Sequence, residues 1–241
     1  MAVLDQTATS AELRSAGISM AVIGIGAIEQ HGRHLPVGTD FIAVAELSRG
    51  VAFELRAWLL PALPISLSEC HGPLEGTVWL KPSTLAAVLR EIARSLQAQE
   101  VRVLVVLNGH GGNFILGPTI ERLNRELHSL RVIMPPEWLA GPPGEKPVFG
   151  TPEVHAGEGE TSTMLYYAPH LVRAERVDGP IAVGREFLDY TTLDRLNPEG
   201  TWGYPTRADA AKGERSVHAR VRALTAFVRD AMAVLEGTTH P

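Results

Sequence analysis

The stretch IEQHGRHLPVGTD, residues 28–40, decides how the rest of the chain is arranged. It places one glutamate, two histidines and one aspartate between an apolar run that leads up to it and another that begins at residue 41. Such a junction predicts a loop at the carboxyl edge of a sheet, where α/β proteins bind their ligands. Glu29 and His31 are two positions apart, so in extended backbone both side chains leave on the same face.

These residue types suit a Zn²⁺, Mn²⁺ or Fe²⁺ site, because they combine carboxylate oxygens with imidazole nitrogen. An alternative interpretation needs no metal. In it Asp40 only caps the helix that follows, Glu29 is a surface charge, and His31 and His34 are solvated. The stretch taken alone leaves both interpretations open.

The bulk composition predicts an ordinary globular protein. The chain has 241 residues, 45% hydrophobic and 20% charged, which fits a single domain over residues 1–241. A net charge of −5 gives no electrostatic footprint for nucleic acid or an anionic membrane. Cys70 is the single cysteine, so no internal disulfide can form. We expect a cytoplasmic location, because we find no signal-peptide pattern and no run of about 20 apolar residues.

Strand and helix patterns alternate along the chain, which predicts an α/β fold with three α/β/α layers and a mostly parallel sheet. Strands are predicted at residues 19–25, 59–65, 101–107 and 130–134, with a short one at 77–80. Helical apolar spacing runs from Val44 to Trp58 and recurs after residue 82, over residues 116–127 and from about residue 209. Residues 155–167 are predicted to begin as a loop and become a helix. Residues 135–152, which include Trp138, are rich in proline and glycine and predict a long loop.

A second motif, NGHGGN at residues 108–113, follows the clearest strand and precedes a helix. Its glycines allow a sharp turn and close approach of a ligand, but they do not form the dinucleotide fingerprint. His110 at its centre suits a metal better than a phosphate. The alternative is a tight turn with an incidental histidine.

A third motif, HAGEGETS at residues 155–162, leads into another helix. Glu158 and Glu160 could simply favour the helix N-terminus. Nucleophilic catalysis has little support, since the chain lacks a G-x-S-x-G elbow. Cys70 and His71 are adjacent, and adjacent side chains rarely form a dyad, so we expect a buried thiol.

Together the three motifs, in this order and spacing, resemble the creatininase (creatinine amidohydrolase) family. NPEGTWGYP at residues 197–205 and AAKG at 210–213 resemble its weaker C-terminal signature, so the resemblance spans nearly the whole chain. It implies a single α/β/α domain and a two-metal site. There a metal-bound hydroxide would hydrolyse a non-peptide C–N bond in an amide, cyclic amide or formamide.

The resemblance also implies roles for particular residues. Glu29 and His31 would each hold one metal, Asp40 would bridge both, and His110 would be a further ligand. His155 matches the position that acts in proton transfer to the substrate. The expected cofactors are two divalent ions per chain, Zn²⁺ first, with Mn²⁺ or Fe²⁺ as alternatives. The expected partners are a small-molecule amide and further copies of the chain in a homo-oligomer, with a hexamer favoured.

Two departures bear on the substrate. Arg33 stands where the family usually has proline, and Gly112 stands where creatininase itself has a metal-binding glutamate. The Gly-Gly form resembles relatives outside creatininase proper, including a formamide hydrolase and the peptidase that trims the mycofactocin precursor. Creatinine is therefore not the expected substrate, and a peptidase or a non-catalytic metal-binding relative are the alternatives. We predict that Glu160 replaces the missing ligand and is needed for catalysis.

A further segment is similar to the family in part. His71 followed by Gly76 and Thr77 is similar to the family's His-x-x-Phe-Pro-Gly-Thr segment, but Leu74 and Glu75 replace the phenylalanine and proline. This segment gives His71 no predicted role.

Overall fold

One parallel sheet organises the computed structural model, which describes residues 3–136, 139, 141–180 and 182–237. Within these residues the sheet has four strands in the order β2-β1-β3-β4. The strands are β1 (Met20–Ile25), β2 (Trp58–Leu59), β3 (Val103–Asn108) and β4 (Arg131–Ile133). β1 and β3 pair along their whole length, and both are runs of buried apolar residues, as central parallel strands are.

Helices connect the strands and cover both faces of the sheet. In the described residues they are α1 (Ser10–Ser15), α2 (Thr39–Leu55), α3 (Pro82–Ala98), α4 (Leu116–Glu126), α5 (Glu158–Tyr167), α6 (Leu193–Leu196) and α7 (Ala210–Leu235). Ile23 of β1 belongs to the core shared with α3 and α4, and its neighbour Val22 belongs to the core shared with α2 and α7. The alternation of side chains along a strand therefore produces the predicted three-layer α/β/α fold.

The strand predicted at residues 59–65 is present as the edge strand β2, but it is shorter than predicted. Only Trp58–Leu59 pairs as a strand, and beyond it a single bridge joins Leu63 to Ile25. Pro61 and Pro64 cannot donate to a ladder, which explains the short edge strand. Trp58 lies in β2 rather than at the end of α2. The helix ends at Leu55 because Arg56 adopts a left-handed conformation, with φ of 53°.

Two other predicted elements can be compared with the structure. The strand expected at residues 77–80 is reduced to one antiparallel bridge, between Val78 and Ile28. The helix expected from residue 209 is confirmed as α7, where the Asp209 side chain accepts hydrogen bonds from the first turn. Trp138 lies outside the described residues. In the part of the chain that is described, no helix has the length and apolar character needed to cross a membrane.

The fold brings the three motifs together. Both central strands are parallel, so the loops that follow β1 and β3 leave the same edge of the sheet. The third motif opens α5, which packs closely on α7. A Cβ added at Gly213 of α7 would overlap with the carbonyl oxygen of Ser162 in α5, so glycine there permits this close approach.

Candidate metal centre

The five predicted metal ligands lie in one cluster at the carboxyl edge of the sheet. Glu29 follows β1, Asp40 lies in the first turn of α2, His110 follows β3, and Glu160 lies in the first turn of α5. His31 is central to the cluster, with its Nε2 atom 3.2 Å from Asp40 Oδ1 and 3.8 Å from Glu160 Oε2. The interpretation of this stretch as surface charges and solvated histidines is therefore wrong.

Asp40 does not cap its helix. The residue at the cap position of α2 is Gly38, which makes no side-chain hydrogen bond there, and Asp40 is the second helical residue. The Asp40 carboxylate is 4% exposed and faces the cluster. It is thus available to bind a ligand rather than the helix backbone.

The Glu29 carboxylate is the least satisfied group in the cluster. It is completely buried, and neither of its oxygens has a hydrogen-bond partner among the described residues. Its nearest neighbours are ring nitrogens: His110 Nε2 at 3.3 Å, His71 Nε2 at 3.6 Å and His155 Nδ1 at 3.6 Å. A buried carboxylate without hydrogen bonds is costly unless a positive charge lies beside it, so this position favours a bound cation or a protonated imidazole.

Two histidines are oriented so that each turns one ring nitrogen toward Asp40. His31 Nδ1 donates to the main-chain oxygen of Glu29 at 3.0 Å, and its Nε2 is hydrogen-bonded to Asp40 Oδ1 at 3.2 Å. His110 Nε2 donates to the main-chain oxygen of Leu67 at 2.7 Å, and its Nδ1 lies 3.1 Å from Asp40 Oδ2. Hydrogen bonding of one ring nitrogen to a carbonyl is typical of histidines whose other nitrogen binds a metal.

Glu160 reaches the cluster from the first turn of α5. Its Oε2 accepts a hydrogen bond from the backbone N–H of Ala156 at 2.6 Å, and its side chain remains 33% exposed. Ala156 is buried in a left-handed conformation, with φ of 51°. Such strained residues concentrate at functional sites, and here the turn brings both His155 and Glu160 close to His31.

His155 is held firmly by its neighbours. Its backbone pairs with Trp202, donating to the Trp202 carbonyl at 3.1 Å and accepting from the Trp202 N–H at 2.8 Å. Its ring Nε2 donates to the main-chain oxygen of Gln30 at 2.6 Å. Nδ1 therefore carries the lone pair and faces the cluster. The C-terminal signature around Trp202 thus positions the third motif.

His71 joins the cluster although sequence reasoning gave it no role. It lies in the short 3₁₀ turn Glu69–His71 and is 4% exposed. Its ring centroid is 4.5 Å from that of His155. The partial family segment with Gly76 and Thr77 was the available signal. The neighbouring Cys70 is half-buried rather than buried, and it lines the same cavity as His71.

Three residues of the motifs lie outside the cluster. His34 is buried and contacts the Thr161 hydroxyl at 2.9 Å, so it links the first motif to α5. Glu158 is 2% exposed and pairs with Lys212 at 2.6 Å. Arg33 lies on the surface, where its Nε donates to Glu199 at 2.7 Å, and it is not among the residues that line the metal cavity.

The shape of the loop requires glycine at position 112. A Cβ added there would overlap with the His110 Nε2 atom and with the main-chain oxygen of Leu67. These are the two partners that orient the His110 ring. A glutamate at position 112 would therefore require a different path of the loop.

The carboxylates favour positive charge in the cluster. Burial disfavours the charged form of His31, but Asp40, Glu160 and Glu29 outweigh it and raise its pKa to about 10. The pKa of His110 is raised for the same reasons, by Glu29 and Asp40 against burial. Burial raises the pKa of Glu160 to about 8; the nearby His31 opposes this rise and the Asp40 carboxylate adds to it. These histidines carry the protons that a metal ion would replace.

The donor set fits divalent metal ions. Overlapping groups within the described residues bring ligand atoms to within 4.8 Å of one another: Glu29 with His31 and Asp40, His31 with His155 and Glu160, and Glu29 with His71 and His155. Carboxylate and imidazole donors suit Zn²⁺ and Mn²⁺ alike. The cluster is therefore able to bind metal.

A small cavity opens over the cluster. Its volume is about 410 Å³, including the open space at its mouth. Leu188, Leu193 and Val154 contribute apolar walls, and the polar residues at its floor are Glu29, Asp40, Glu160, His71, His110 and His155. Arg185 lines the cavity as well and donates to the main-chain oxygen of Gly111.

Comparisons with known proteins agree with this geometry. The chain is 34% identical over 231 residues to a mycofactocin precursor peptide peptidase of Mycobacterium tuberculosis, covering 89% of this chain and 86% of that protein. It is 27% identical over 241 residues to the creatinine amidohydrolase of Pseudomonas putida, covering 90% and 91%. A solved creatinine amidohydrolase structure superposes with a TM-score of 0.81 at 26% identity, covering 94% and 96%. A family model described as creatinine amidohydrolase matches residues 5–228, and the chain belongs to the creatininase family of hydrolases.

Proposed function

We propose that this protein hydrolyses an amide C–N bond at a centre of two divalent metal ions. Glu29, His31, Asp40, His110 and Glu160 would hold the ions, with Asp40 shared between them. The observation that carries the proposal is the fully buried Glu29 carboxylate, which lacks a hydrogen-bond partner among the described residues and faces three imidazoles. Zn²⁺ is the first choice of metal, and Mn²⁺ or Fe²⁺ fit the same ligands.

The ions, when bound, would polarise the substrate carbonyl and lower the pKa of a water molecule from 15.7 toward about 7. His155 would transfer a proton from the attacking water to the leaving nitrogen. Burial and the rings of His31 and His71 lower the pKa of His155 well below its usual range, so the ring is neutral at pH 7. Its free Nδ1 faces the cavity floor. It can accept the proton of the attacking water and then donate it to the leaving nitrogen.

The cavity limits the substrate to a small amide or the end of a chain. The space over the cluster is small, and Val154, Leu188 and Leu193 line its sides. A small-molecule amide, cyclic or formylated, is the first candidate. We expect the active form to be a homo-oligomer, with a hexamer favoured.

A short peptide tail is the second candidate. Identity to the mycofactocin precursor peptide peptidases reaches 34%, against 27% to creatinine amidohydrolase, which favours this class. A peptide end carries a carboxylate, and the guanidinium of Arg185 at the cavity wall is suited to pair with it.

Metal analysis together with a substrate panel tests the proposal. Protein purified without chelator is expected to contain about two equivalents of divalent metal, and to release amine from a formamide, a cyclic amide or a short peptide. Asp40→Asn is expected to lose most metal and all turnover, since it removes the shared charge. Asp230→Asn, on an exposed part of α7, is the matched control and keeps both.

The outcomes separate the alternatives. One equivalent or less at full loading would overturn the two-metal centre. Two equivalents without turnover of any amide would favour a non-catalytic metal-binding protein. Turnover confined to peptides would select the peptide candidate, and Arg185→Gln should then raise KM for peptides with a free carboxylate but not for amidated ones.

A further inference from the structure

Gln30 lies between two buried imidazoles and contacts both. It is 7% exposed, and its side-chain Oε1 accepts a hydrogen bond from the backbone N–H of Gly32 at 2.9 Å. Because the oxygen accepts from an N–H, the other terminal atom of the amide is the NH₂ group. That group lies 3.2 Å from His71 Nδ1. An NH₂ group can only donate, so His71 Nδ1 accepts and the ring proton of neutral His71 is on Nε2.

The main-chain carbonyl of Gln30 fixes the opposite tautomer in the second ring, which is that of His155. Its carbonyl accepts from His155 Nε2 at 2.6 Å, so His155 turns the Nδ1 lone pair toward the cluster. His71 turns its Nε2–H toward the same place. Each of these two atoms is 3.6 Å from the same oxygen, Glu29 Oε1. One residue therefore fixes a donor and an acceptor side by side on the cavity floor.

Gln30 is itself held in place. Its backbone N–H donates to the Thr77 hydroxyl at 3.2 Å. A Cβ added at Gly200 would overlap with the Gln30 amide, and Gly200 has a positive φ of 69°, so the chain packs directly on this side chain. A turned-over amide would place its NH₂ group against the Gly32 N–H, and two donors cannot pair, so the observed orientation keeps the His71 proton on Nε2.

We propose that His71 is a hydrogen-bond donor in the reaction and not a third imidazole ligand of the metal ions. Although Glu29, His71 and His155 lie close enough to hold an ion, a protonated Nε2 has no lone pair for it. The donor assignment depends only on the Gln30 contacts. Its use in catalysis rests on the proposed amide hydrolysis.

In that reaction the oxygen of water adds to the amide carbon, and the electron pair of the C=O bond moves onto its oxygen. The pair returns as the C–N bond breaks and the nitrogen leaves with the proton carried by His155. The His71 Nε2–H would donate a hydrogen bond to the oxygen while it is negatively charged, and no proton leaves His71. Removing one such donor typically lowers kcat by about 10²–10³-fold.

Long-range ¹H–¹⁵N spectra of the metal-free protein test the tautomer without any turnover. The His71 signals are expected to show a proton on Nε2 in the wild type. In Gln30→Glu the carboxylate still accepts from Gly32 but can no longer donate to His71, so the His71 proton should move to Nδ1 and kcat should fall. A proton on Nδ1 in the wild type would overturn the proposal, whether or not a substrate has been found.

Two substitutions of His71 separate a donor from a ligand. His71→Leu is expected to keep the wild-type metal content and lose about 10²–10³-fold in kcat with little change in KM. His71→Gln places an amide NH₂ near the position of Nε2 and should recover part of the rate. His170→Leu, on the exposed turn Pro169–Leu171, is the control and should change neither. Loss of about one metal equivalent in both His71 variants, or a wild-type kcat in His71→Leu, would show that the proposal is wrong.

Discussion

Two glutamates of this protein are almost completely buried, and their surroundings differ in one respect. Glu158, at 2% exposure, accepts hydrogen bonds from the Thr151 hydroxyl at 2.6 Å and from the Thr151 and Gly150 backbones, and it pairs with Lys212 at 2.6 Å. Glu29, at 0% exposure, accepts none from the described residues. A buried carboxylate with hydrogen-bond partners stabilises the fold, whereas a buried carboxylate without them is available to bind a ligand.

Replacing each of the two glutamates by glutamine, one at a time, tests this comparison, and the largest effect is expected at Glu29. Glu29→Gln should lose most bound metal and more than about 10² in turnover, since a lost ligand should cost at least as much as a lost outer-shell contact. In the metal-free form the change removes a buried carboxylate without hydrogen bonds but also removes the attraction that raises the pKa of His110, so Tm should fall less than in Glu158→Gln. Metal analysis and thermal melts measure both quantities.

Glu158→Gln should behave in the opposite way. It weakens the pair with Lys212 and should lower Tm on the order of 5 °C while leaving metal content unchanged. Glu158 is therefore a buried, paired carboxylate rather than only a charge at the helix N-terminus. If both variants lost metal equally, or both lost stability equally, the contrast between the two glutamates would not hold.

Glu160 lies between these two cases, because it is part of the cluster yet accepts a backbone hydrogen bond from Ala156. Glu160→Gln should remove about one metal equivalent and abolish turnover if the carboxylate is a ligand. If it only favours the N-terminus of α5, worth about 0.3–1 kcal/mol, metal and turnover should stay near wild type with a slightly lower Tm. Glu214→Gln, an exposed position near the start of α7, is the control.

The comparison of Glu29 with Glu158 also shows which structural features could be predicted from the sequence. The central strands and the loops after them were predictable, because buried β-branched runs and three motifs point to one sheet edge. The partners of Glu158 were not, since Lys212 is 54 residues away and meets it only when α7 packs on α5. His71 was missed for a similar reason. It lies on an irregular segment whose path depends on tertiary contacts rather than on local periodicity.

His155→Ala should lose turnover and keep its metal. The ring donates to Gln30 and turns a lone pair toward the cavity, and loss of a general acid–base group typically costs about 10²–10⁴-fold. Metal analysis and steady-state rates at saturating substrate test this. Loss of about one metal equivalent would make His155 a ligand instead, and a wild-type rate with normal metal would remove it from the mechanism.

The smallest effect is expected in the pH dependence of stability. The pKa of His31 is raised from 6.5 to about 10 and that of Glu160 from 4.5 to about 8 in the metal-free protein. A group whose pKa is raised on folding stabilises the protein fully below its unfolded pKa, and this contribution is lost as pH rises through the folded value. Both groups should therefore lower the Tm of the metal-free protein progressively between pH 6 and pH 9.

In the metal-loaded protein the ions take the place of these protons, so the same groups no longer produce that slope. The Tm difference between loaded and metal-free protein should widen as pH rises from 6 to 9. Asp40 does not affect Tm in this pH range, because its pKa is lowered and its contribution to stability is lost only in acid. Calorimetric titration at pH 7 in buffers of different ionisation enthalpy should show release of about one proton or more per chain. A Tm difference that stays constant or narrows, with no proton release, would mean that the cluster around Glu29 does not hold protons in place of metal.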